Sequence, residues 1–277
     1  KELDYLKSIG VTNLRIMGAS EKTEFDNTVR PVFQPEPGVY NEDMLIGLDF
    51  LLAEMNKRDM KAVIYLGNNW IWSGGFAQLV SWATGERNPN PFLPEYDWND
   101  FMNFSARLYS NEKAQQYYFD YVKMLVNRKN SVTGELYKND PTIMSWQLAN
   151  EPRPGAGEEG KQNFDAFRNC VKKSADLIKR YDQNHLVSTG NEGLAGSIGS
   201  EHLFKDIHNF ENIDYITTHL WILNWGWFDP HDAEATYPVA IDSAHRYLDN
   251  HIEMSAEINK HLVIEEFGIA RDNYAYS

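Results

Sequence analysis

The feature that most narrows what this chain can fold into is a regular alternation of short, apolar β-rich runs with longer segments of helical period. Six runs read as strands, at 11–17, 61–67, 142–151, 185–190, 213–221 and 261–268; each is short and several are rich in Val, Ile and Thr. Between the first two, Met44, Leu45, Leu48, Leu51, Leu52 and Met55 recur at spacings of three and four. They follow Asn41, a candidate N-cap, with Glu42 and Asp43 in the first turn. Similar helical segments are predicted at about 99–129, 161–181 and 238–259, the last opening with Pro238 at its first position. A shorter helix is predicted over 201–210, and residues 1–9 read as a helix end. Strand, helix and strand repeated in this way require a parallel sheet, because parallel neighbours need a crossover.

Two α/β architectures satisfy that pattern, a doubly wound sheet and a (β/α)8 barrel. No G-x-G-x-x-G or P-loop follows the first strand, and the notable polar residues fall at the C-terminal ends of several different strands, as a barrel active site requires. The expectation is therefore a (β/α)8 TIM barrel, truncated at both ends so that about six strands, the second to the seventh, are present. No internal repeat or linker interrupts the chain, and 1–277 reads as one domain. The stretches 74–97 and 151–161 read as loops on the barrel rim.

Composition excludes several functions. Lys+Arg number 26 against 40 Asp+Glu, a net charge of −14, which repels phosphates and anionic headgroups; neither nucleic acid nor a membrane surface is an expected partner. No run approaches the ~18 apolar residues of a membrane span. Cys170 is the single cysteine, so there is no intrachain disulfide or Cys-based zinc site. Aromatic residues make up 13% of the chain and are concentrated in loop-like segments, which suits a partner with stacking faces.

The strongest chemical element is LANEP at 148–152, in which Glu151 ends a strand. Strict alternation puts Ile143, Ser145, Gln147, Ala149 and Glu151 on one face and Met144, Trp146, Leu148 and Asn150 on the other, unless a bulge near Asn150 re-aims the last residues. A second carboxylate lies in VIEEFG at 263–268; alternation alone leaves open which of Glu265 and Glu266 points inward. Two acids on a barrel mouth can hydrolyse a glycosidic bond, one protonating the leaving oxygen while the other attacks the anomeric carbon or activates water. Arg15 on the same rim would favour the charged form of a neighbouring carboxylate, and His219 at another strand end could bond to an acid or the substrate. Trp70, Trp72 and Trp82 after one strand, and Trp221, Trp225 and Trp227 after another, can stack on sugar rings, with Asn68, Asn69 and Asn224 taking hydroxyls. The scattered histidines form no H-E-x-x-H and no segment forms a G-x-S-x-G elbow, so neither a metal site nor a serine nucleophile is expected.

The combination of SWQLANEPR, STGNEG, THLWILNWGWFDP and VIEEFG, extending through NNWIWSGGFAQLVSWATG, resembles bacterial β-mannanases of glycoside hydrolase family 5. The resemblance implies a retaining endo-β-1,4-mannanase acting on β-mannan or manno-oligosaccharides, without a cofactor, in an extracellular or periplasmic location. It makes Glu151 the acid/base and Glu266 the nucleophile, with Asn150 bonding the substrate 2-hydroxyl, Arg15 and His219 orienting the nucleophile, and Trp70 stacking on substrate. Two departures from the family pattern stand out: Trp221 occupies the place of a tyrosine that donates to the nucleophile, and the first strand and the tryptophan platform of the eighth strand are missing. The mechanism implies that surroundings raise the proton affinity of Glu151 while Glu266 keeps its charge beside Arg15. Alternative readings are a family-5 endoglucanase, a non-catalytic glycan-binding barrel and a metal-dependent barrel hydrolase.

Overall fold

The computed structural model describes residues 1–269. Its sheet has six parallel strands whose spatial order follows the chain: β1 (Asn13–Met17), β2 (Lys61–Tyr65), β3 (Ile143–Gln147), β4 (Leu186–Ser188), β5 (Tyr215–Trp221) and β6 (His261–Gly268). Helix α1 (Glu2–Ser8) precedes β1, and α2 (Glu42–Asn56) joins β1 to β2. Helices α3 (Gly75–Thr84), α4 (Trp98–Ala106) and α5 (Glu112–Val126) lie between β2 and β3; α6 (Gly157–Gln162) and α7 (Phe164–Tyr181) between β3 and β4; α8 (Glu201–His208) and α9 (Ala233–Glu257) complete the last two crossovers. A doubly wound sheet reverses direction at a switch point, whereas here every strand advances to the next position. That is the arc of a (β/α)8 barrel, with β1 and β6 at its edges.

The two faces of the arc differ in chemistry. Outward-facing Ala62, Ile64, Trp146 and Val187 join Leu45, Leu48, Leu52 and Met55 of α2 and the apolar faces of α3, α5 and α7 in the main core. The inner face is polar: Tyr215 Oη donates to Ser145 Oγ (3.0 Å), Gln147 Nε2 to Ser188 Oγ (3.0 Å) and Arg15 Nε to Gln147 Oε1 (2.6 Å). This ladder ties β1, β3, β4 and β5 together across the interior, and it satisfies groups that would be costly to bury alone.

Asn41 caps α2 as its sequence suggests, its side chain accepting from the Asp43 and Met44 amides. Three helical expectations need correction. The segment predicted as one helix over 99–129 is two, because Asn111 accepts from the Ala114 amide (2.9 Å) and so starts α5 afresh after a single 3₁₀ turn at Arg107–Tyr109. The stretch 74–97 is not all loop, since α3 fills its first half and ends at Gly85 in the left-handed conformation. Helix α9 begins a turn before Pro238, and the Thr236 hydroxyl, donating to the Asp232 (2.7 Å) and Asp229 (3.1 Å) carbonyls, secures that turn.

Candidate active site

Beyond Gln147 the chain leaves strand geometry but keeps both neighbours. Asn150 N donates to Gly67 O (2.8 Å), Asn69 N to Asn150 O (2.9 Å), and Glu151 N to Gly190 O (2.9 Å). Gly190, at φ 73°, is required there: a Cβ would sit 1.9 Å from the Ala149 carbonyl oxygen. Glu151 itself adopts φ 50°, uncommon for a residue with a side chain. The turn is the departure from alternation that the sequence left open near Asn150, and Asn150 and Glu151 both line the interior cleft.

A similar irregularity acts at β6. Thr218 pairs with Ile264 but His219 pairs with Glu266, so Glu265 is an extra residue in the ladder. The bulge turns both adjacent acids inward. The Glu265 side chain is buried and accepts two bonds from Gln147 Nε2 (2.7 Å each), while half-buried Glu266 faces the cleft. Arg15 Nη1 donates to Glu266 Oε1, and Arg15 Nη2 to Asn150 Oδ1 (2.8 Å), so one guanidinium fixes a residue from each acid-bearing segment. Trp221 Nε1 donates to Glu266 Oε2 (3.1 Å).

Glu151 is held by Trp70 Nε1 at one oxygen and His219 Nδ1 at the other (2.6 Å). An oxygen of Glu151, an oxygen of Glu266 and a ring nitrogen of His219 all lie within 4.8 Å of one another. His219 therefore sits between the acids, bonded to Glu151 and 3.5 Å from Glu266, rather than serving Glu266 alone. Its ring is fully buried; burial pulls its pKa down, but the surrounding carboxylates of Glu151, Glu265 and Glu266 push it up to about 9. For Glu151, burial pushes upward and is outweighed by the His219 bond and charge, the Trp70 bond and the Arg153 charge, leaving it below the ordinary carboxylate value. The expectation of a raised Glu151 is thus reversed, because the proton resides on its histidine partner.

The cleft around these groups has a volume of about 710 Å³, and Trp70, Trp72, Trp98, Trp221, Asn224 and Trp225 wall it. Trp227 stands behind Trp225 (ring centroids 5.0 Å apart) and against Tyr247, and is not part of the wall. Asn69 is fully buried with Ser105 beneath the Trp70 turn and does not reach the cleft. Sequence reasoning missed Tyr65, over which the Arg15 guanidinium lies at 4.9 Å, and the pair Arg153–Glu192. Arg153 also covers the Trp70 ring at 4.9 Å. Buried Glu192 is pushed up to about 7 by desolvation, with Arg153 opposing and the Glu151 charge adding to the rise. Both residues follow strand ends inside NEPR and STGNEG, and that position was the available signal.

Two acids facing each other across an aromatic-walled cleft at the C-terminal ends of parallel strands form the constellation with which barrel glycosidases cut sugar linkages. A family model described as GH family 5 beta-mannosidase-like matches residues 1–277, and the chain belongs to that family. It is 31% identical to a putative mannan endo-1,4-beta-mannosidase 4 of Arabidopsis thaliana over 98% of this chain and 63% of that protein. To a mannan endo-1,4-beta-mannosidase 4 of Solanum lycopersicum it is 32% identical over 90% of this chain and 59% of the relative. It thus spans less than two thirds of the length of these relatives. Among solved structures, a glycoside hydrolase family 5 mannosidase from Rhizomucor miehei superposes with a TM-score of 0.88 at 38% identity, covering 99% of this chain and 63% of that one. An endo-1,4-beta-D-mannanase from Thermotoga petrophila gives 0.76 at 28%, covering 99% and 75%.

Proposed function

We propose that the protein is a retaining glycoside hydrolase that cleaves β-1,4-mannosidic linkages in mannans by double displacement. The observation that carries this reading is the short separation of the two acids: oxygens of Glu151 and Glu266 lie within 4.8 Å, which supports the close spacing of a retaining pair over the wider spacing of an inverting one. Glu266, held by Arg15 and Trp221, is the nucleophile. Glu151 gives a proton to the leaving oxygen and, once the glycosyl-enzyme has formed, takes one from water. In the free protein that proton rests on His219 Nδ1, 2.6 Å from the Glu151 oxygen, so the pair holds one proton in common. Transfer to Glu151 leaves both groups neutral. Asn150, held by Arg15 and Asn68, is the group assigned to the 2-hydroxyl, and Trp221 and Trp225 line the cleft where sugar rings would stack.

The names of the relatives support mannan over cellulose as substrate. A polymeric substrate of this kind favours an extracellular or periplasmic location; among the described residues no helix is long and apolar enough to cross a membrane. Product anomers followed by NMR early in mannohexaose hydrolysis test the mechanism: the β configuration should be retained, and inversion rejects Glu266 as nucleophile. The greater likeness to the Rhizomucor mannosidase favours a second reading, removal of single mannose units from chain ends. The same experiment separates the two, because an endo-acting enzyme yields internal fragments first and an exo-acting one yields mannose.

A further inference from the structure

Glu21, in the connection between β1 and α2, is 3% exposed and has no part in the mechanism above. Among the described residues no Lys, Arg or His forms an ion pair with it, and burial pushes its carboxyl up to about 8, with only the Gly75 amide opposing the rise. An apolar side chain would fill the same space without the desolvation cost of a carboxyl. What distinguishes Glu21 is its attachment to the turn after β2. Its Oε2 accepts from Gly75 N (2.8 Å), its own N–H donates to Ser73 O (2.8 Å), and Val29 N donates to Trp72 O (2.8 Å). The contact is close enough that a Cβ on Gly74, at φ 86°, would lie 2.3 Å from the Glu21 carbonyl oxygen. From that anchor the turn is fastened inward. Asn68 Nδ2 donates to Ser73 Oγ (2.8 Å), Phe76 N to Asn68 O (2.8 Å), and Trp70 N to Asn68 Oδ1 (3.1 Å). The indole of Trp70 then donates to Glu151.

We propose that Glu21 is a positioning residue that sets the Trp70 indole against Glu151 by clamping the 68–75 turn from outside the cleft. The proposal deepens the reading of Glu151 as acid/base and rests on it. Because the clamping group acts as a neutral acceptor, glutamine replaces it and leucine, of similar size, does not.

The test compares Glu21→Gln and Glu21→Leu, each alone and with Trp70→Phe, using mannohexaose turnover and the Trp70 indole N–H resonance, assigned by its loss in Trp70→Phe. Glu21→Leu should lower kcat about tenfold with KM changed less than about twofold, since a small misplacement of a contact to the acid affects the chemical step. Glu21→Gln should restore turnover. In the Trp70→Phe background Glu21→Leu should add no further loss, as expected when one residue acts through the other. The indole resonance should move upfield in Glu21→Leu and stay in place in Glu21→Gln. An unmoved resonance in Glu21→Leu, or losses that add to that of Trp70→Phe, overturns the proposal. If the unaltered protein cleaves no β-mannan, the functional reading fails, and the resonance alone decides whether Glu21 places Trp70. Should Glu21→Leu not fold, Glu21→Asp, whose shorter side chain withdraws the acceptor, is read in the same way.

Discussion

His219 Nδ1 lies 2.6 Å from Glu151 Oε1 and 3.5 Å from Glu266 Oε2, so a single imidazolium bridges the two acids of the cleft. The arrangement keeps one proton on the His219–Glu151 pair until the pH approaches about 9. In His219→Gln, Glu151 must hold the proton alone. The alkaline limb of the kcat/KM profile should therefore move to lower pH in this variant. A limb that stays where it was would show that the pair does not share the catalytic proton.

The same histidine links stability to pH. Its pKa rises from 6.5 to about 9 on folding, so its contribution is fully present below about 6.5 and lost as pH rises through about 9. The gain is on the order of 3 kcal/mol at most, shared with the carboxylates that cause it. Urea denaturation at pH 6, 8 and 10 should show the unfolding free energy of the unaltered protein falling along that series more steeply than that of His219→Gln; parallel slopes would contradict the linkage.

Removing the acids separates their roles. Glu266→Ala should lower turnover by about a thousandfold or more on every substrate, because no covalent intermediate can form. Glu151→Ala should cost roughly 10²–10⁴-fold on β-mannan but far less in the first step with aryl mannosides bearing good leaving groups, which need little protonation. Burst kinetics with such a substrate measure that step directly, and equal losses on both substrates would reverse the assignment of Glu151.

Trp146 is fully buried on the opposite side of the sheet, where its Nε1 donates to Asp182 Oδ2 (2.7 Å). Asp182 also bonds His185. Trp146→Phe leaves this buried carboxylate short of a donor and should cost about 1–3 kcal/mol in unfolding free energy. KM on mannohexaose should not change, since the ring packs with Tyr137 and His185 in the outer core and does not line the cleft; a change in KM would mean that the outer layer shapes the inner one.

The strands and the helices between them could be read from periodicity because each buries one face, and burial writes a period into the sequence. Glu151, His219 and the Glu265–Glu266 pair were legible as charged or polar residues near strand ends, where solvation of a barrel mouth permits them, and Arg15 as a charge within the first strand. What the period could not settle was local geometry that departs from it. The left-handed turn at Glu151 brings Asn150 round to the same side, and the extra residue at Glu265 turns two consecutive acids inward. Asn111 and Thr236 moved helix starts through side-chain bonds that no hydrophobic pattern records. Arg153 and Glu192 were hidden for a different reason: each makes sense only beside the other, and 38 residues separate them along the chain.

The indole of Trp221 stands where the family-5 resemblance implies a phenol, and it donates to Glu266. A phenol can give up its hydrogen in alkali and become an anion facing the carboxylate; an indole cannot. The neighbour of Glu266 at this oxygen therefore does not ionise, and the support it gives is insensitive to how basic the medium becomes.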